Sequence, residues 1–194
     1  MKFSSLSFRD MDRKFFKLLD KKASELLLMG EGEDDCDALL YCYINPDALI
    51  TFDIIGYESN DKRVLFSDGK PRKVYIDFIY ESKCEEIKDK QLQGIKQVSD
   101  AQKFYTDETL VSLREIDGID SARDPFAPDV LNITVILGKK AYATKGKICG
   151  INPDGKLFCN NLCALPCLQA NQIFSVDFAK VDGSVVAFYE MNEQ

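Results

Sequence analysis

The chain has 194 residues, 45% of them apolar, with 13 Phe, 8 Tyr, a formal charge of −7 and a pI near 4.8. That length suits one larger domain or two small ones, and the apolar content is enough to build a core, which excludes wholesale disorder. Histidine is absent, so Ser-His-Asp and Cys-His catalysis and the common catalytic zinc sites are excluded in their usual form, and a field this acidic opposes nucleic acid and anionic lipid.

In chain order, the first predicted element is a helix over 8–29. Phe8, Met11, Phe15, Leu18, Leu19, Ala23 and Leu26 fall at three-four spacing, which is one helical face. Ser7 and Asp10 have the spacing of a capping box, Leu6 and Met11 that of a hydrophobic staple, and Gly30 is placed to end the helix. Strands follow at 38–44, 49–57, 63–66 and 74–80. They are separated by the turn signals Asn45-Pro46-Asp47, Asn60-Asp61-Lys62 and Ser67-Asp68-Gly69. Connections this short predict an antiparallel meander.

A second helix is predicted over 83–104. Ser82 and Glu85 stand at capping spacing, and Cys84, Ile87, Gln91, Ile95, Val98 and Ala101 mark the buried stripe. Gly94 in its middle costs about 1 kcal/mol relative to Ala. Residues 106–116 fit a short helix or a strand equally. Residues 117–129, with Gly118, Pro125 and Pro128, read as an ordered loop. Beyond it the chain is β-like at 130–137, 141–151, 156–158, 173–178 and 185–189, with Asn152-Pro153-Asp154-Gly155 as a hairpin signal. Several short strands at this spacing predict a small barrel or a strongly curved sheet.

The fold class is therefore α+β: two helices packed on an antiparallel meander, then a β-rich half. The junction at 115/116 reads either as a boundary between 1–115 and 116–194 or as a loop in one continuous domain.

Each chemical motif has a competing structural reading. Cys159, Cys163 and Cys167 lie four apart, and with Cys149 they offer thiolates to a metal. They do not form the two close pairs of a structural zinc site, and Pro166 interrupts them, so buried thiols are the favoured reading. Gly146-Lys147 has the end of a phosphate loop, but Ala141 and Ile148 occupy positions that need Gly and Ser or Thr, so a turn between strands accounts for the glycine. Asp117, Asp120, Asp124 and Asp129 gather oxygen ligands for a hard cation, without calcium-loop spacing; turn roles and ion pairs to Arg114 and Arg123 are favoured.

Lys139, Lys140, Lys145 and Lys147, with Tyr142 among them, have the composition of a nucleic-acid patch, but the net charge opposes it and solvated strand faces are favoured. The acidic run Glu31, Glu33, Asp34, Asp35 and Asp37 offers a dock for a basic partner, against a solvated loop. Asp53 and Asp77 in predicted strands form an acidic pair if they share a face; solvent-facing positions on a half-exposed sheet are favoured.

The segment Arg114-Glu115-Ile116-Asp117-Gly118-Ile119-Asp120, with Asp124-Pro125 and Pro128-Asp129 and the glycine-punctuated β tail, resembles the C-terminal regions of small bacterial proteins, some regarded as toxin-immunity or accessory proteins. The resemblance covers the last third of the chain and carries over no functional residue.

Seven cysteines, an odd number, without an export signal or a long apolar run, fit a reducing cytoplasm and no membrane span. The leading functional expectation is a non-enzymatic acidic module for a basic protein partner, with no nucleic acid, membrane or cofactor. The alternatives are a histidine-free enzyme using Asp53, Asp77 or the 117–129 carboxylates, with or without a divalent metal, and a metal or redox protein using the C-terminal cysteines. No residue is assigned as catalytic, cofactor-binding or metal-binding.

Overall fold

A computed structural model describes residues 1–31, 35–60, 62–67 and 72–191. The expected turn residues Asp61, Asp68 and Gly69 and the acids Glu33 and Asp34 lie outside the described residues. The protein is a mixed α and β structure, about 26% helix and 45% strand. It divides into two compact units, Met1–Thr106 and Asp107–Gln194. Among the described residues no helix is long and apolar enough to cross a membrane.

In the first unit the order is α1 (Phe8–Met11), β1 (Phe15–Leu18), α2 (Lys21–Leu28), β2 (Asp37–Ile44), β3 (Ile50–Ser59), β4 (Lys62–Leu65), β5 (Lys73–Tyr75), α3 (Ile76–Ile79), β6 (Cys84–Ile87) and α4 (Lys96–Gln102). The sheet runs β4-β3-β2-β1-β6, with β5 beside β3, and every pairing is antiparallel. Both faces of its centre are covered, so β2 is buried at every position after Asp37. On one face Leu39, Tyr41, Tyr43, Phe15 and Ile55 pack with Leu92, Val98 and Ala101 from the segment around α4. On the other, Phe3, Phe16 and Phe52 meet edge to face, with ring centroids 5.0–6.3 Å apart, a geometry set by the aromatic quadrupole. Helix α2 is tied to the sheet through Ser24. Its hydroxyl donates to Leu18 O at 3.1 Å and accepts from Ala38 N at 3.1 Å.

Both predicted long helices are corrected. The capping box of Ser7 and Asp10 forms as expected, but the helix ends at Met11, and Phe15–Leu18 becomes a central strand. Phe15 and Phe16 are both buried, on opposite faces, which a strand between two covered faces accommodates and a one-faced helix does not. Asp20 caps the separate helix α2 by accepting from Ala23 N. Likewise 83–104 divides into β6, a 3-10 turn at Lys90–Gly94, α4 and a further 3-10 turn at Lys103–Tyr105. The predicted strand 74–80 ends at Tyr75 and continues as α3. Residues 106–116 hold helix α5 (Glu108–Arg114), capped by Asp107.

The second unit adds a 3-10 helix at Asp117–Ala122 and strands β7 (Arg123–Asp124), β8 (Ala127–Leu137), β9 (Lys140–Ile151), β10 (Leu157–Asn161), β11 (Ile173–Val181) and β12 (Ser184–Met191). Strands β8 to β12 form a closed five-stranded barrel. With an odd number of up-and-down strands the closing pair must run in the same direction, and β12 does pair in parallel with β8. Leu131, Ile133, Val135, Ile148, Leu157, Cys159, Phe174, Val176 and Ala187 fill it, and Leu113, Ile119, Ala122 and Leu168 pack on them. The expected hairpin at 152–155 joins β9 to β10.

Candidate functional site

A groove of about 460 Å³ opens on the barrel. Its origin lies in the pairing of β12. That strand joins β8 from Ala187 onward, and two residues earlier its edge is held by a side chain instead. Ser121 Oγ accepts from Val185 N at 2.8 Å and donates to Val185 O at 2.9 Å. The groove lies where the strands part, lined by the apolar Ile133, Ala143, Val185, Val186 and Ala187 and by Ser121, Asn132, Thr134, Lys145 and Cys163.

Two motifs that the sequence presents separately meet here, the lysine cluster through Lys145 and the cysteine series through Cys163. The carboxylate loop adds Asp124, whose Oδ2 accepts from Lys145 Nζ at 2.5 Å while Oδ1 accepts from Phe126 N at 2.9 Å. Lys145 is therefore a neutralised charge.

Asn161 was not apparent from the sequence. It is fully buried. Its Oδ1 accepts from Thr144 at 2.7 Å, and its Nδ2 donates to Cys163 O at 2.6 Å and Gln169 O at 2.8 Å. One amide thus fixes the loop that carries Cys163 to the groove. A buried amide satisfied this way is strongly specifying, but its spacing gives no local signal.

The cysteines do not converge. Cys159 lies in the barrel interior, where burial pushes its thiol up to about 12. Cys163 is exposed, and Cys167 packs partly buried against the core. The expectation of buried thiols therefore holds for Cys159 and is corrected for Cys163 and Cys167. All seven cysteines are free thiols. Among the described residues no three Cys, Asp or Glu stand close enough to hold a metal ion.

Gly146 is corrected too. It lies in mid-strand rather than in a turn, and a Cβ there would approach Ile133 Cδ1 to 2.6 Å and Cys159 Cβ to 2.8 Å, so barrel packing selects it. Along β9, Tyr142 turns toward the core, while Lys145 pairs with Asp124. Lys145 and Lys147 lie on the opposite strand face from Tyr142, so the cluster does not gather on one face.

Of the 117–129 carboxylates, Asp117 is exposed, whereas Asp120, Asp124 and Asp129 are bound into the structure. Asp129 takes a bidentate contact from Arg114 at 2.8 and 2.6 Å with both side chains buried. Asp120 receives Arg123 Nε at 3.0 Å, and the rest of that guanidinium donates to the carbonyls of Leu113, Ile116 and Pro128.

In the first unit Asp53 and Asp77 are not a pair. Asp77 is exposed on α3. Asp53 is buried, which corrects its expected solvent-facing position, and it accepts from Tyr43 Oη at 3.0 Å. Burial pushes the Asp53 carboxyl above its ordinary range, the Tyr43 phenol higher still, and Tyr41 to about 12. Phe104 stacks on Tyr43 at 5.7 Å, and the Tyr105 hydroxyl bonds Asp12 while accepting from Ile44 N at 2.8 Å. This network fastens the 3-10 turn Lys103–Tyr105 to the sheet. In the acidic run, Asp37 and Asp35 pair with Lys21 at 2.9 and 3.4 Å, and Glu31 pairs with Arg72.

Compared with family models, curated proteins and solved structures, the chain gives no significant match.

Proposed function

We propose that the chain is a non-enzymatic protein-binding module of the inhibitor or immunity kind, acting in a reducing compartment, and that the barrel groove receives a segment of a basic protein partner. The observation that carries this reading is the makeup of the groove. Its lining combines small aliphatic side chains with neutral polar ones, and its lysine is paired with Asp124, which suits docking of side chains more than acid-base chemistry. The carboxylates offered for catalysis support it further. Asp53 is sealed beneath Tyr43, Asp77 is solvated on a different element, and Asp120 and Asp129 are held by arginines. The charge of −7 steers a cationic partner and accelerates encounter. Seven free thiols fit the compartment.

The test is affinity capture on the immobilised chain from extract of its native host, followed by titration of the purified retained protein. The expected result is a basic protein held at low salt and released at high salt. Its affinity should fall roughly 30-fold when Ala143→Glu fills the groove, as for a central contact, with circular dichroism unchanged. Equal affinity for the groove variant, or turnover of a small substrate lost on changing one carboxylate or thiol, would overturn the reading.

A further inference from the structure

The first unit carries a second groove, of about 270 Å³, where β1 begins and β6 ends. Its walls are residues 13–15 and 86–90, with Gln93 from the 3-10 turn. Four cations line it, Arg13, Lys14, Lys88 and Lys90, against two carboxylates, Glu86 and Asp89. Asp89 is already occupied, with Arg63 at 2.6 Å and the amide of Gln91 at 2.9 Å. Among the described residues no carboxylate lies within ion-pairing distance of Lys14, Lys88 or Lys90. In a chain of charge −7 this is a local excess of positive charge, and a concavity whose lining carries an excess of one sign concentrates the opposite ion.

The backbone that presents two of these cations is strained. Arg13 has φ +59°, a left-handed conformation disfavoured for a residue with a Cβ. It is held there by Arg13 N donating to Cys42 O and Cys42 N donating to Lys14 O, both at 2.9 Å. The guanidinium then lies 5.0 Å from the Tyr105 ring centroid and 3.3 Å from Asp12. The sequence accepts an unfavourable conformation at the point where Arg13 and Lys14 reach the groove.

We infer that this groove binds a compact, multiply charged anion, of the class of small phosphate-bearing molecules. The lysine ammonium groups donate charge-assisted hydrogen bonds to its oxygens, and Gln93 offers a neutral donor. The volume falls just below the roughly 300 Å³ at which drug-sized ligand sites begin, which favours a small metabolite over a polymer. The site lies in a different unit from the barrel groove and is independent of the docking reading.

The test is calorimetric titration of the full chain with pyrophosphate at low ionic strength. Binding is expected to be saturable and one to one, with amide shifts confined to residues 13–15 and 86–93. Lys88→Glu with Lys90→Glu removes two contacts, each worth on the order of tenfold in affinity. Lys139→Glu with Lys140→Glu makes the same change of net charge in the second unit and leaves affinity unaltered. Citrate, a multivalent carboxylate, binds more weakly than pyrophosphate if the phosphate class is right; equal or tighter citrate binding overturns that class. Absence of saturable heat up to roughly 10 mM pyrophosphate, or equal weakening by the two lysine pairs in variants with native circular dichroism, overturns the site.

Discussion

Replacing Asp129 with Ala tests whether the second unit is organised around a buried ion pair. Arg114 at the end of α5 and Asp129 in β8 have side chains only 8% and 5% exposed, and they share two hydrogen bonds of 2.8 and 2.6 Å. Truncation leaves the guanidinium desolvated without its carboxylate. Breaking one partner of such a pair costs about 3–5 kcal/mol, against less than about 1 kcal/mol for an exposed pair. For a unit of this size each kcal/mol lowers the midpoint by about 4–8 °C, so its transition should fall by more than about 12 °C. Differential scanning calorimetry of the whole chain measures this. Arg114→Met combined with Asp129→Leu removes both charges together and should recover most of the loss, giving a large coupling energy in the double-mutant cycle. A fall of less than about 4 °C for Asp129→Ala, or a double variant no more stable than the single one, would refute the reasoning.

Gly146→Ala should destabilise the barrel by about 1–3 kcal/mol, read from urea midpoints, because the new methyl meets Ile133 and Cys159 inside ordinary contact distance. Asp53 titrates higher in the folded than in the unfolded chain, so the native state binds the extra proton. Stability should therefore decline as pH rises from the ordinary carboxylate value through the raised one, and Asp53→Asn, which still accepts from Tyr43, should flatten that decline in urea melts from about pH 4 to 8. Phe16→Ala, which empties the aromatic cluster with Phe3 and Phe52, should cost about 3–5 kcal/mol by the same measurement. Under native conditions an aromatic disulfide reagent should label Cys149 and Cys163 first, while Cys36, Cys42, Cys84 and Cys159 react only in denaturant, by absorbance of the released thiolate.

The β-rich half was legible because its strands are joined by turns with strong local chemistry, as at Asn152-Pro153-Asp154-Gly155, and because its buried residues alternate. Barrel closure is the natural outcome of such a meander, though the β12–β8 pairing joins residues about 54 positions apart, as for Ala187 and Ile133, and nothing local encodes it. The first unit was harder for a physical reason. Its sheet is covered on both faces, so the two-residue alternation disappears from β2, and β1 has adjacent buried phenylalanines. In a four-residue strand such as Phe15–Leu18, apolar positions three apart fit a helical stripe as well as a pleat. Local capping signals added to the error: Ser7 and Asp10 correctly mark a helix start, but a cap says nothing about where the helix stops.

The candidate sites were legible only in parts, and the parts that were missed share a cause. Lys145, Cys163 and the 117–129 acids stood out as members of clusters, whereas the structure uses them singly, Lys145 with Asp124, Asp129 with Arg114, Asp120 with Arg123, and Cys163 exposed at the groove. Asn161, Ser121 and Asn132 stood out in no pattern, because one buried amide or one hydroxyl bonded to a strand edge needs no neighbour in sequence. The basic groove was missed for the opposite reason: Arg13 and Lys14 are separated from Lys88 and Lys90 by more than seventy residues, and the antiparallel register of β1 with β6 brings them together by pairing Phe15 with Ile87. Net charge, being a sum over the whole chain, conceals such a local excess. A composition of −7 predicts the sign of long-range steering but not the sign of any one concavity, so one acidic chain can attract a cationic protein at a distance and hold a small anion in a groove of its own.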